Sequence, residues 1–169
     1  IYREQQELSV YGGIGALLGW DQMTYMPPGG AEDRANQLAL ISKLAHEKVI
    51  SDDFFAHTKK LNQTSNLKKL SSHDQIVVKR LKKDLEKARK IPSWFVEKSA
   101  KVTTLSFAAW EKARKKKDFK IFAPHLEKVI DLELQYIDFI KLPGHPYNSL
   151  LDGYEEGITT DILDREFTK

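Results

Sequence analysis

No stretch of this chain alternates apolar and polar residues at period two over the length of a strand, and Val, Ile and Thr are scattered along it. Apolar residues recur instead at spacings of three and four, the period of a helix that buries one face. Three proline-bearing groups punctuate the pattern: Met26-Pro27-Pro28-Gly29-Gly30, Ile91-Pro92-Ser93 and Leu142-Pro143-Gly144-His145-Pro146. Proline lacks the N–H donor and restricts the residue before it, so each group ends one helix and redirects the chain into the next. The fold class is therefore all-α, a multi-helix array.

The spacing predicts helices over about 2–24, 31–47, 51–62, 72–90, 94–116 and 124–141. A polar loop at 62–66, a connector at 118–122, a helical turn at 147–153 and a last helix from Thr159 or Thr160 towards Thr168 complete the chain. Ser72-His73-Asp74-Gln75 has capping-box spacing, so Ser72 is expected to cap the fourth long helix. Its apolar stripe is Val77, Leu81, Leu85 and Ala88, with Ile76 beside it. In the second helix the stripe is Leu38, Ile41 and Ala45, with Leu44 beside it. In the 124–141 helix it is Leu126, Ile130, Leu134, Ile137 and the stem of Lys141. The first helix carries Leu8, Tyr11, Gly15, Leu18 and Gln22 on one face. Gly12, Gly13, Gly15 and Gly19 each weaken it by roughly 1 kcal/mol relative to Ala. Glycines kept at that cost predict close approach by another backbone.

Composition narrows the classes. The 169 residues include no cysteine, which excludes a disulfide framework and a thiolate metal site. No apolar run approaches the ~20 residues of a membrane span. The chain opens on Ile1, and the numbering is expected to start inside a longer protein or after a removed tag. The formal charge of +3 hides three blocks: net −2 over 1–50, +11 over 51–120 and −6 over 121–169. Such a basic middle fits either a nucleic-acid surface or helix faces paired with the acidic ends.

The local catalytic signatures fail one by one. A helical zinc peptidase needs His-Glu-x-x-His, so that two imidazoles share a helix face and the Glu activates water. His46-Glu47-Lys48-Val49-Ile50 begins that way but carries Ile50 in place of the second His. His57, His73, His125 and His145 have no imidazole three or four residues away. No Glu precedes a His by three, which removes the bundle di-iron signature. Gly13-x-Gly15 lacks the third glycine of a nucleotide loop, since Leu18 stands there. There is no Gly-x-Ser-x-Gly elbow.

The lysines of 79–90 and 112–117 surround an apolar stripe and are interrupted by Asp84 and Glu86, which reads as a solvated face in preference to a phosphate-binding one. Acidic pairs such as Glu127/Asp131 read as solvated or paired with the lysines. The most unusual local sequence is Trp20-Asp21-Gln22 ahead of Met26-Pro27. Asp21 is expected to bond backbone donors freed at the helix end and so fix the Pro-Gly turn. A place on a ligand groove is the competing reading.

Those residues carry a resemblance. Leu17-Leu18-Gly19-Trp20-Asp21-Gln22, Met26-Pro27-Pro28-Gly29-Gly30-Ala31-Glu32-Asp33-Arg34-Ala35-Asn36-Gln37-Leu38 and Leu44-Ala45-His46-Glu47 resemble the N-terminal signature of the carboxypeptidase Taq family. Trp110-Glu111-Lys112-Ala113-Arg114, Asp118-Phe119, Phe122-Ala123-Pro124-His125-Leu126-Glu127 and Tyr147-Asn148-Ser149-Leu150-Leu151-Asp152-Gly153-Tyr154-Glu155 are similar to that family's pattern in the same order. Glu156 departs from the Pro usual before Gly157.

The resemblance implies a mostly helical, zincin-like metallopeptidase. Such enzymes use zinc or cobalt at a His-Glu-x-x-His helix, with a later Glu as third ligand, to remove C-terminal residues from peptides. They are commonly cytoplasmic homodimers with a deep groove between helical halves. None of those metal or substrate-carboxylate motifs has a counterpart here. Residues 1–169 are therefore expected to form one helical segment, the N-terminal portion of a larger catalytic domain, walling and covering the groove. The segment alone is expected to hold no metal and to be inactive. Its partners would be peptide substrate, the remainder of the same domain and a second copy, not nucleic acid or membrane. Trp20, Asp21, Gln22, Met26, Arg34 and His46 are the recognisable groove positions, with no catalytic residue among them. The alternative is a non-enzymatic basic helical module that binds nucleic acid or protein.

Overall fold

A computed structural model describes residues 1–168, and every regular element among them is helical. The α-helices are α1 (Tyr2–Thr24), α2 (Ala31–Ile50), α3 (Asp52–Leu61), α4 (Thr64–Leu67), α5 (Ser72–Ala88), α6 (Ser93–Lys116), α7 (Ala123–Ile140), α8 (Asn148–Leu151) and α9 (Thr160–Phe167). A 3-10 turn, Phe119–Ile121, joins α6 to α7. Each predicted proline break separates two helices.

The long pair α2 and α6 forms the centre. α1 lies along the other side of α2, α7 packs on α6, and α3 and α5 pack together at the far end of α2. Small residues let α2 approach closely: Ala35 and Ala39 are both buried. They lie on the i, i+4, i+7, i+11 row that continues through Ser42 and His46, and His46 meets the turn entering α6. Phe54 and Leu85 fill the α3–α5 contact, and Phe95 stacks edge-on to Phe139 at the α6–α7 contact.

Polar groups finish the short elements. The Thr159 hydroxyl caps α9 by accepting from the Ile162 N–H. Buried Asn148 donates to the Pro143 carbonyl at 3.2 Å and accepts from the Thr160 N–H at 2.9 Å, tying the proline turn to the start of α9.

Several expectations need correction. Ser71, not Ser72, caps α5: its hydroxyl accepts from the Asp74 N–H at 3.1 Å and donates to the Asp74 carboxylate. The polar stretch 62–66 is not all loop, because Gln63 starts the single turn α4. On α5 the buried residues are Val78 and Leu85, while Ile76 is 69% exposed. Leu85 of the expected stripe is buried, Val77, Leu81 and Ala88 are half-buried, and Val78 is buried in place of Ile76. On α7 the buried residues are Leu132 and Ile140, and Ile130 and Leu134 face outwards. Lys141 leaves the helix in a left-handed conformation, φ 48°.

The largest correction concerns the α1 glycines. A Cβ built at Gly12, Gly13, Gly15 or Gly19 meets nothing within 4 Å. No backbone among the described residues approaches them closely.

Candidate functional site

Five of the six signature residues belong to the junction where α1 turns into α2. α1 ends because Pro27 and Pro28 cannot continue its hydrogen-bond ladder. The Asp21 carbonyl accepts from the N–H groups of both Tyr25 and Met26 at 2.9 Å, closing the last turn. Gly30 makes the tight re-entry: a Cβ there would sit 3.0 Å from Met26 Cγ and 3.2 Å from the Pro27 carbonyl. Met26 therefore fills the inside of the turn against a residue that has no side chain.

Arg34 fastens the junction. One guanidinium nitrogen donates to the Leu18 carbonyl, the other to the Asp21 carboxylate at 2.5 Å, and Nε donates to Gln37 Oε1 at 3.0 Å. Only 11% of the Arg34 side chain is exposed. A planar fork reaching three acceptors on two helices is a task for Arg, not Lys. Trp20 stacks edge-on to Tyr25, ring centres 5.3 Å apart, and leaves its outer face in solvent. Gln22 is half-buried on the face of α1 that meets α2.

The expected role of Asp21 is thus split between two groups. Its backbone carbonyl, not its carboxylate, satisfies the freed donors, and the carboxylate holds Arg34. His46 does not join the cluster. Twelve residues along α2, about 18 Å at helical rise, its Nε2 lies 2.8 Å from the Ile91 carbonyl and ties α2 to the α5–α6 turn. Gln37 and the Leu18 carbonyl complete the Arg34 site. Gln37 lay within the quoted signature, but no sequence signal marks a particular backbone carbonyl.

Among the described residues no group of three or more His, Asp or Glu converges. The His46 ring is engaged by a carbonyl, and His145 Nδ1 accepts from the Tyr147 N–H at 3.2 Å. The residues present do not fit the zinc or cobalt site that the resemblance implies.

Some of the charges pair across the blocks. Arg80 and Lys83 pair with Glu156, Lys87 with Asp152 at 2.6 Å, Lys101 with Glu32 at 3.0 Å, and Glu97 with Lys43 at 2.8 Å. The first three link the basic middle to the acidic end. The Lys87 ammonium, with help from the Gly157 N–H, holds the Asp152 carboxyl below its usual range. Glu156, the departure from the family pattern, supplies the carboxylate that meets α5.

Against known proteins, the carboxypeptidase Taq (M32) metallopeptidase family model matches residues 1–169. Thermostable carboxypeptidase 1 of Pyrococcus furiosus is 32% identical over 152 residues, covering 90% of this chain and 30% of the relative. Carboxypeptidase 1 of Bacillus subtilis is 31% identical over 164 residues, covering 97% and 32%. The BsuCP crystal structure superposes with a TM-score of 0.94 at 30% identity, over 99% of this chain and 33% of that one. The chain spans about a third of the length of the relatives it matches.

Proposed function

The chain belongs to the carboxypeptidase Taq (M32) metallopeptidase family, and from that premise we propose that it is the N-terminal helical region of a metal-dependent carboxypeptidase. The reaction of the whole protein would be removal of C-terminal residues from peptides, with zinc or cobalt as the metal. The observation that carries this reading is the match along the whole chain to proteins three times as long, joined to a helical fold in which Arg34 and Asp21 of the signature fasten α1 to α2.

On this reading residues 1–169 are one helical segment of a larger domain, and the segment wall is their contribution. Trp20, Asp21, Gln22, Met26 and Arg34 fix the angle between α1 and α2 and so set the line of the groove wall. They position; they do not react. Among the described residues no ligand set converges, so no catalytic step is assigned to them. A cytoplasmic homodimer, as in the resembling enzymes, is part of the same proposal. The paired lysines of α5 argue against the nucleic-acid alternative, because phosphates would have to compete with carboxylates already in place.

The test is release of a free amino acid from a C-terminally unblocked tripeptide, followed by mass spectrometry with added Zn²⁺ or Co²⁺. The full-length protein should release it in a metal-dependent way, and the 169-residue chain should not. Metal-dependent release by the 169-residue chain, or none by the full-length protein, overturns the proposal.

A further inference from the structure

Three of the stretches similar to the family pattern, 110–114, 118–119 and 122–127, converge at the end of α6. An open cavity of about 590 Å³ lies there, where α6 gives way to the 3-10 turn. Trp110, Ala113, Arg114, Asp118, Phe119 and Phe122 line it, and all six belong to those stretches. Helical period brings the first ones together, because 110, 113, 114 and 117 share one face of α6. Lys117, left-handed at φ 51°, then stops the helix. Asp118 turns the chain by accepting from the Lys120 N–H at 3.0 Å. Phe119 and Phe122 follow in that turn, edge to face with ring centres 6.3 Å apart.

The lining has an apolar part and a cationic part. Ala113 is buried, while Trp110 and Phe119 are 42% and 63% exposed. The Arg114 guanidinium lies 5.8 Å from the centre of the Trp110 ring, and Lys117 follows one turn along the same face. Residues 112–120 hold six cations against the single carboxylate of Asp118. None of the six has a carboxylate partner among the described residues. On α5 the situation is the reverse: Arg80, Lys83 and Lys87 are met by Asp152 and Glu156 from later in the chain. Trp and Arg side by side are the residue types that most often anchor an interface.

The complement of such a cavity is an apolar side chain that covers the rings and a carboxylate that meets the cations. A seat built from residues that fit the family pattern calls for an occupant that family members have in common. About two thirds of each matched relative lies outside the part matched here. Contacts between parts of one chain obey the same chemistry as contacts between proteins. We propose that this cavity seats a segment of the same protein outside residues 1–169. That segment lays an aromatic or aliphatic side chain over Ala113 and sets a carboxylate against Arg114 and Lys117. The inference rests on reading the chain as part of a longer domain, and it names the place and chemistry by which the remainder docks.

The test is photo-cross-linking of the full-length protein carrying Phe119→p-benzoylphenylalanine, an aromatic exchange at an exposed position. Isotopically light and heavy protein are mixed before irradiation, so that mass spectrometry separates links within one chain from links between two. A link within one chain to a peptide outside residues 1–169, bearing an Asp or Glu, is the expected result. Adding Arg114→Glu should lower the yield of that link about threefold, the size of one part-exposed ion pair. Lys112→Glu, in the same cluster but outside the lining, should leave the yield unchanged. Links confined to residues 1–169, links only between chains, no link, or a linked peptide without Asp or Glu each overturn the proposal. So does a yield that Arg114→Glu and Lys112→Glu lower equally. The measurement uses no substrate or metal, so its failure is distinguishable from failure of the carboxypeptidase assay.

Discussion

α1 and α2 lie side by side, and both carry a row of small residues, yet they use them in opposite ways. On α2, Ala35 and Ala39 are sealed on the row towards α6, and α2 is fixed by close packing. On α1, Gly12, Gly13, Gly15 and Gly19 face open space, and none of its 23 residues is buried. α1 is held by polar ties: Tyr2 to Asp74, Glu7 to Lys48 at 2.7 Å, and Asp21 to Arg34. Its outer row of Val10, Ile14, Leu17 and Trp20 is exposed as well. The same sequence signal, small residues at helical spacing, therefore marks a closed interface in one helix. In the other it marks no close contact among the described residues.

The difference predicts unequal tolerance. Ala35→Leu forces three more heavy atoms into a sealed contact and should destabilise the chain by about 3 kcal/mol, read from urea unfolding. Gly13 changed to Leu on α1 should cost less than half of that, since a Cβ there meets nothing within 4 Å. Equal costs would mean that α1 packs as α2 does. Next in size is the tie between the two helices. Arg34→Ala leaves the Asp21 carboxylate and the Leu18 carbonyl without their donor and should cost about 2 kcal/mol. Arg34→Lys should recover little of it, because an ammonium cannot reach both acceptors and Gln37 together.

The sequence made α2 more legible than α1. Periodicity and the Pro-Gly groups placed both helices, because those signals depend on local chemistry alone. The Arg34 and Asp21 positions were visible as a family signature, but their bond was not, since it spans 13 residues and depends on how two helices meet. The α1 glycines were misread because propensity says that a glycine costs stability, not which neighbour repays the loss. On α7, Ile130 and Leu134 were assigned to the core by spacing, and they face out for the same reason. An apolar stripe shows that something covers it without showing what. His46 looked like part of the signature site and is a separate tie, because order along a helix says nothing of distance from a cluster at its start.

The glycine row gives a smaller prediction with the opposite sign. Gly15→Ala adds a methyl group where none collides and should raise stability by about 1 kcal/mol in the 169-residue chain. In a full-length protein the same change should give no gain if another segment lies against this face. A thermal midpoint that rises equally in both would show that the glycines have no packing role.

The smallest effect separates the two helices by pH. The Tyr2 hydroxyl donates to the Asp74 carboxylate, and that bond, with the Ser71 hydroxyl, holds the Asp74 carboxyl below its usual range. A carboxyl depressed in the folded state contributes stability that is fully present above its unfolded value and is lost as pH falls through the folded value. The same bond raises the Tyr2 phenol, so its share is present below the ordinary tyrosine range and fades as pH rises through the raised folded value. Both groups belong to the attachment of α1, and neither touches the α2–α6 contact. Acidification below the usual Asp range should therefore loosen the start of α1 first, seen as faster amide exchange over residues 2–10 while residues 35–42 stay protected. Tyr2→Phe should reduce that selective loosening. If residues 35–42 lose protection at the same pH as 2–10, the polar ties of α1 and the close packing of α2 are one cooperative unit, and the contrast between the two helices fails.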